Sequence, residues 1–286
     1  MKFFIPMRRS ISKNIALVSC DLNGTLVHQH TMMDMIRVYF SDQPERFEKA
    51  KEAFNKQTSG LLSMKKAFAI AGPLTGGLTL RNAIRYAVNE MKFLEGFDFF
   101  ISTLHEKGIY FVINSTGYSI TTEVIKALYG PEKIYAVICN QLIFGWGGDN
   151  HKVIEETELS QLVKNYFRGG EKEKRYDEIL STGAVKLEIQ DEGEKANLLF
   201  AIAETLKIPR QAIAHIGDTM GDSAGICEVA RNGGLGIAFN YNQALKNYLE
   251  KILKNEKFPG TIILAEPKKE ASSLKFLLDI ILSYSS

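Results

Sequence analysis

Cysteine is scarce in this chain of 286 residues, with only Cys20, Cys139 and Cys227 present. They are far apart, odd in number and form no Cys-x-x-Cys pair, which argues against a disulfide framework and reads as reduced core thiols. An excess of one charge is also missing. Lys and Arg number 35 against 33 Asp and Glu, a net charge of +2, so no global field favours nucleic acid or a membrane surface. No window approaches the ~18 consecutive apolar residues that a membrane span needs. Residues 1–13 scatter Lys2, Arg8, Arg9 and Lys13 among apolar positions without a continuous apolar stretch or a small-residue cleavage site, so no signal peptide is expected. Glycine-rich loops occur, but none spells Gly-x-Gly-x-x-Gly after a first strand, which argues against a dinucleotide site. These absences lead to the expectation of a cytoplasmic protein with no nucleic-acid or membrane partner. They say nothing of oligomeric state.

What is present is globular composition, 45% hydrophobic and 24% charged, in a length that suits one to two domains. The run Ile15 to Cys20 is apolar without alternation, as in a strand buried on both faces of a parallel sheet. It stops on Asp21, and Asn23-Gly24-Thr25 supplies a turn. From His28 to Leu94 the pattern is helical. Helices are expected at Thr31 to Phe40, from a start at Ser41 or Asp42 through Gln57, at Leu61 to Ala71 and at Leu80 to Phe93. Such a segment should pack over the strand ends as a lid.

Sheet patterning returns with a helix at Phe97 to Glu106 and a buried strand at Ile109 to Ile113, which ends in Asn114-Ser115-Thr116-Gly117. A helix from Tyr118 to Tyr129 and an apolar run from Ile134 to Cys139 follow. Gln141 to Asp149 reads as a hairpin or a long loop. Residues 150–183 are charge-rich and helical at Glu158 to Phe167. Ala184 to Ile189 alternates like a half-exposed strand. Asp191 caps a helix running to Lys207. Strands at Ala212 to Ile216, Gly234 to Phe239 and Gly260 to Leu264, and a last helix at Ser272 to Tyr284, complete the chain. The alternation of strand and helix predicts an α/β fold, a doubly wound parallel sheet with right-handed crossovers.

Four positions at strand ends are polar where the interior pattern would have continued: Asp21, Ser115, Asp218 and Asp222. Lys195 stands at the start of a helix. In an open parallel sheet these ends line one rim, where ligands bind. The order Asp21-x-Asn23-Gly24-Thr25, Ser115, Lys195 and Gly217-Asp218-x-x-x-Asp222 resembles the four motifs of the haloacid dehalogenase-like (HAD) superfamily, from Asp21 to Phe239. The helical stretch between the first two motifs and the run Gly233 to Asn240 resemble its phosphoserine phosphatase-like branch. The resemblance implies a Rossmann-like core from residues 1–27 and 95–286, with a small helical cap at 28–94; the interval between Ser115 and Lys195 is longer than is usual in that branch, so residues 150–183 are an insertion of unknown role. It also implies a Mg²⁺-dependent phosphohydrolase acting on a small phosphorylated metabolite. Asp21 would be the nucleophile and form an aspartyl-phosphate, and Lys195 would neutralise charge. Ser115, Thr116 and Gly117 would hold a phosphate oxygen. Asp21, Asp218, Asp222 and the backbone carbonyl of Asn23 would bind the metal, Asp222 directly or through water.

Each residue type suits that chemistry. A phosphate dianion repels a carboxylate, so a divalent cation must bridge them, and Mg²⁺ prefers oxygen ligands. Two positions depart from the resembled pattern. Asn23 stands where the superfamily has its acid, and an amide has no proton to give. The expected consequences are a substrate with a good leaving group, a proton from His28 or His30, or slow turnover. A non-catalytic binding or regulatory relative is the alternative. His30, nine residues after Asp21, replaces the carboxylate that holds the amine of phosphoserine, so His30 or Arg37 is expected to meet an anionic or neutral group instead.

Overall fold

A computed structural model describes residues 14–147, 152–265 and 273–284. The expectations for residues 1–13, for Gly148 and Asp149, and for Ser272 lie outside them. In chain order the elements are β1 (Leu17–Cys20), α1 (Thr31–Tyr39), α2 (Pro44–Thr58), α3 (Met64–Ala71), α4 (Leu80–Arg85), α5 (Phe97–Glu106), β2 (Tyr110–Tyr118), α6 (Ser119–Tyr129), β3 (Ala136–Trp146), α7 (Glu156–Phe167), α8 (Arg175–Glu178), β4 (Ile179–Lys186), α9 (Glu192–Thr205), β5 (Ile213–Gly217), α10 (Ser223–Arg231), β6 (Leu235–Phe239), α11 (Gln243–Asn255), β7 (Thr261–Ala265) and α12 (Leu274–Tyr284). The seven strands form one sheet in the order β4-β3-β2-β1-β5-β6-β7.

β1 sits at the centre, every residue buried, as its unbroken apolar run requires. It pairs in parallel with β2 on one side and β5 on the other. The chain therefore leaves β1 toward β2 and β3, and later returns past β1 to add β5, β6 and β7. That reversal of direction opens a crevice at the carboxyl ends of β1 and β5. Right-handed crossovers running in opposite directions put helices on both faces.

The sheet departs from the parallel expectation at one edge. β4 runs antiparallel to β3, with Trp146 opposite Ile179 and Gln141 opposite Lys186. The stretch Gln141 to Trp146 continues β3, and its end also doubles back as an expected hairpin would, with Gly145 bridged antiparallel to Val153, Trp146 N donating to Lys152 O at 3.0 Å and Ile154 N donating to Phe144 O at 2.9 Å; β4 begins at Ile179, upstream of the alternating run. Ser181-Thr182-Gly183 hid this strand, because turn-forming residues sit inside it where the register slips between Leu142 and Phe144. The helices between β3 and β4 stay at one end of the sheet, so the chain re-enters it antiparallel.

The helical segment after β1 lies over the strand ends and shares its buried residues with the sheet. Met32, Met35 and Ile36 of α1 belong to the same apolar cluster as Leu17 and Val18. α2 begins at Pro44, with Gln43 rather than Ser41 or Asp42 at its N-cap. The expected fourth helix is interrupted, since α4 ends at Arg85 and a π-helical turn covers Tyr86–Glu90. The outer edge of β4 is covered by this segment: Ser181 N donates to Leu78 O at 2.8 Å and Gly77 N donates to Ser181 O at 2.9 Å. Arg81, only 9% exposed, forks its guanidinium to Asp177 at 2.6 and 3.0 Å and reaches the carbonyls of Glu171 and Glu173. The charge-rich stretch between β3 and β4 is thereby fastened to α4.

Candidate active site

Strand register brings the polar ends together. Cys20 lies opposite Ile216 on β5 and Ile113 on β2, so one residue further along Asp21 meets Gly217-Asp218 on one side and Asn114-Ser115 on the other. The amide of Asp21 continues the ladder to Ile216 O at 2.9 Å. α9 is started by Asp191, whose carboxylate accepts from the amides of Gly193 and Glu194 at 2.8 and 3.2 Å. Asn114 Nδ2 donates to Lys195 O at 3.0 Å, which fixes the first turn of α9 against β2.

Lys195 is 1% exposed. Its Nζ donates to Asp21 Oδ1 at 2.9 Å and to Asp222 Oδ1 at 2.5 Å. Asp21, Asp218 and Asp222 each offer an oxygen within 4.8 Å of the others. The remaining bonds of Asp222 are local: its Oδ2 accepts from the amides of Asp218 and Thr219, both at 3.2 Å, and from Thr219 Oγ1 at 3.4 Å. Asp222 therefore shapes its own turn while it orients Lys195. Thr25 Oγ1 donates to Asp218 Oδ1 at 3.4 Å. Two glycines make room. A Cβ on Gly24, whose φ is 79°, would stand 2.1 Å from Asp218 Oδ2, and one on Gly217 would stand 2.1 Å from Asp222 Cγ.

Burial raises the Asp21 carboxyl to about 6; the Lys195 ammonium opposes this rise and the Asp222 charge adds to it. Asp218 is raised well above the usual carboxylate range, by burial first and then by Asp21 and Asp222. Burial alone would pull the Lys195 ammonium down, but its two carboxylates outweigh this and hold it above its ordinary value. One ammonium against three carboxylates leaves the cluster short of positive charge. An all-oxygen donor set short of positive charge fits a hard divalent cation.

A cleft of about 150 Å³ opens over this cluster, lined by Asp21, Asn23, Gly24, His28, His30, Gln57, Thr58, Thr116, Lys195, Asp218, Thr219 and Gly221. Asp21, Asn23, Thr116, His30, Lys195 and Asp218 of the sequence expectation line it directly. Ser115 does not: it is fully buried, its Oγ accepts from the Gly117 amide at 3.1 Å, and its hydroxyl lowers the Asp21 pKa by hydrogen bonding. Gly117 lies behind Asn23, with 3.3 Å between its Cβ position and Asn23 Nδ2. Lys186, nine residues before Lys195 in the sequence, is exposed and paired with Glu188.

Asn23 Oδ1 accepts from Thr31 N at 2.9 Å and Thr31 Oγ1 at 2.8 Å. A backbone N–H can only donate, so the oxygen of the amide faces α1 and the NH₂ faces the site. His30 is held neutral, because burial against Phe54 (ring centroids 4.9 Å apart) lowers its pKa to about 4. An imidazole that is neutral near pH 7 has no acidic proton to deliver as imidazolium, so of the two expected histidine donors only the exposed His28 remains. Arg37 is turned to the surface and bonded to Asp34 at 2.6 Å, which removes it from the substrate side. Cys20 is a buried thiol pushed well up by burial, and His215 is a buried strand residue whose Nδ1 meets Ser19 Oγ at 3.1 Å.

Gln57, Thr58, Thr219 and Gly221 were not expected at the site. Gln57 alone carried a signal: it occupies the fourth place of the apolar stripe Ala50, Ala53, Phe54, Gln57 of α2, a polar side chain where the pattern calls for an apolar one.

No family model and no curated protein matches the sequence. Among solved structures, the chain is similar to a phosphoserine phosphatase carrying a phospho-aspartyl intermediate analogue, at 20% identity and a TM-score of 0.60, over 85% of this chain and 100% of that one. It is similar to a HAD family hydrolase from Salmonella enterica serovar Typhi, at 16% identity and a TM-score of 0.59, over 82% of this chain and 66% of that one. A probable phosphoserine phosphatase from Vibrio cholerae matches at 13% identity and a TM-score of 0.58, over 95% of this chain and 66% of that one. At these identities the likeness is one of fold. Among the described residues no helix is long and apolar enough to cross a membrane.

Proposed function

We propose that this protein is a Mg²⁺-dependent phosphohydrolase that acts on a small phosphorylated metabolite through a phosphorylated Asp21. The observation that carries this reading is the convergence of Asp21, Asp218 and Asp222 within 4.8 Å, with Asp21 and Asp222 bound by one buried lysine at 2.9 and 2.5 Å, at the rim where this fold binds ligands. Asp21, Asp218 and the backbone carbonyl of Asn23 would hold Mg²⁺, with Asp222 directly or through water, and the ion would supply the charge that lets a carboxylate approach a phosphate dianion.

An oxygen of Asp21 attacks phosphorus; the new O–P bond forms as the ester O–P bond breaks, and its electron pair leaves on the ester oxygen. Water then attacks the same phosphorus, and the Asp21–phosphorus bond breaks to release phosphate. Lys195 neutralises Asp21 and the phosphoryl oxygens as charge moves. Ser115 orients Asp21 from behind, and Thr116 with the Asn23 NH₂ faces the phosphoryl group. Asn23 can donate a hydrogen bond but no proton at neutral pH. The reading therefore favours substrates whose leaving oxygen is weakly basic, such as acyl phosphates, with His28 the available donor for others. The helical segment 28–94 acts as the lid.

Hydrolysis of acetyl phosphate and para-nitrophenyl phosphate, with and without Mg²⁺, tests this. Turnover that requires Mg²⁺ and falls at least ~10³-fold in Asp21→Asn is expected. Equal rates in the variant would sink it. A binding or regulatory module is not favoured, because a scaffold has no need to gather three carboxylates around one buried lysine.

A further inference from the structure

Resting on the reading above, we infer that the group esterified to the phosphoryl is short, uncharged and hydroxylated, and that Gln57 and His30 recognise it. The charges lining the cleft, among the described residues, are Asp21, Lys195 and Asp218. All belong to the phosphoryl end, and the Lys195 ammonium is already committed to Asp21 and Asp222.

The opposite wall comes from the helical segment, which contributes His28, His30, Gln57 and Thr58 and no Asp, Glu, Lys or Arg. The nearby charged side chains of that segment are spent elsewhere. Arg37 bonds Asp34 and Lys56 bonds Glu52, each at 2.6 Å. An ammonium on the substrate would lose its water against this wall and find no counter-charge, and a carboxylate would find only the exposed His28 imidazole, a large penalty in either case.

What the wall offers is unspent neutral hydrogen bonding. Gln57 is 7% exposed, and its amide makes no hydrogen bond to another described residue. Its Nε2 lies 3.6 Å from the Cβ position of Gly221, across the cleft mouth of the loop after β5. His30 Nδ1 is buried without a partner, and its ring is neutral, for burial lowers its pKa to about 4. Buried polar groups are rarely left unpaired, and such a set in a cleft is complementary to a ligand. An amide offers both a donor and an acceptor, and an imidazole nitrogen one or the other according to tautomer; a hydroxyl can answer either. The volume, about 150 Å³, lies below the ~300–1,000 Å³ of pockets for drug-sized ligands, which restricts the ester to a few carbons.

Calorimetric titration of the Asp21→Asn variant in Mg²⁺ tests this with three short esters that differ in charge: glycerol 3-phosphate, phosphoethanolamine and 3-phosphoglycerate. Glycerol 3-phosphate is expected to bind at least tenfold more tightly than either charged ester. A charged ester that binds as tightly or more tightly overturns the inference. In Gln57→Leu the affinity for glycerol 3-phosphate, taken relative to inorganic phosphate, should fall about fivefold, and in Gln57→Glu the order should shift toward phosphoethanolamine. No change in either variant removes Gln57 from recognition and overturns that part. The two readings fail separately. Absence of acetyl phosphate hydrolysis by the unaltered protein, together with selective binding of the neutral ester, sinks the phosphatase and keeps the ligand class. Hydrolysis without charge preference does the reverse.

Discussion

The two walls of the cleft are built on opposite principles. On the sheet side, Asp21, Lys195 and Asp222 are charged, buried and bonded to one another, held by strand register and a capped helix. On the helical side, His30 and Gln57 are neutral and unbonded. Under the proposed function, the first wall would be preorganised around charge that develops at phosphorus, the second would leave its hydrogen bonds open for whatever carries the phosphate, and chemistry and selection would be separated in space.

The bridge between the walls is Asn23, which sits in the turn after Asp21 yet bonds Thr31 at the start of α1. Converting it tests whether the charged wall lacks only an acid. Asn23→Asp is expected to raise hydrolysis of an alkyl phosphate by ~10² to 10⁴, the usual worth of general acid catalysis, while acetyl phosphate turnover changes little. Parallel steady-state rates on both substrates check this, and an unchanged alkyl-phosphate rate would mean that proton delivery is not limiting.

Lys195→Met breaks the charged wall directly. It should lower kcat by ~10² to 10³ and destabilise the fold by about 3–5 kcal/mol, since Asp21 and Asp222 keep buried charges without their partner. Urea denaturation and kcat together check it. An unaltered unfolding midpoint would show that the ion pairs contribute nothing net.

The smallest effect sharpens the contrast by pH. Burial holds the Asp21 carboxyl at about 6, above its unfolded value near 3.8, so the folded state binds this proton more tightly. The Asp21 contribution to metal-free stability should therefore fall as pH rises from about 4 to about 6 and stay lower above that, and the raised Asp218 carboxyl acts in the same direction. Mg²⁺ binds the deprotonated carboxylates and should raise Tm more at pH 7.5 than at pH 5. Thermal unfolding at both pH values checks this, and a Tm rise that is equal or larger at pH 5 would refute it.

Much of the charged wall was legible before any coordinates. A buried parallel strand must end where its apolar run ends, and Asp21, Asp218 and Asp222 each follow such a run or the turn after it. Lys195 was readable from the Asp191 cap, which places it in the first turn of α9. The antiparallel β4 was not readable, because Ser181-Thr182-Gly183 spells a turn and only pairing with Phe144 and Gly145 makes it strand. Nor was the bracing of α4 by Arg81, whose partners Asp177 and Glu173 are about a hundred residues away.

The sequence by itself determined the α/β class, the central buried strand and the polar residues that end the strands, because apolar periodicity and turn chemistry are local properties of the chain. Only the tertiary structure decided that His30 is neutral, that Asn23 turns its oxygen to Thr31, and that Gln57 faces the site. Protonation, amide orientation and exposure depend on what packs against a side chain, and those neighbours come from distant parts of the chain.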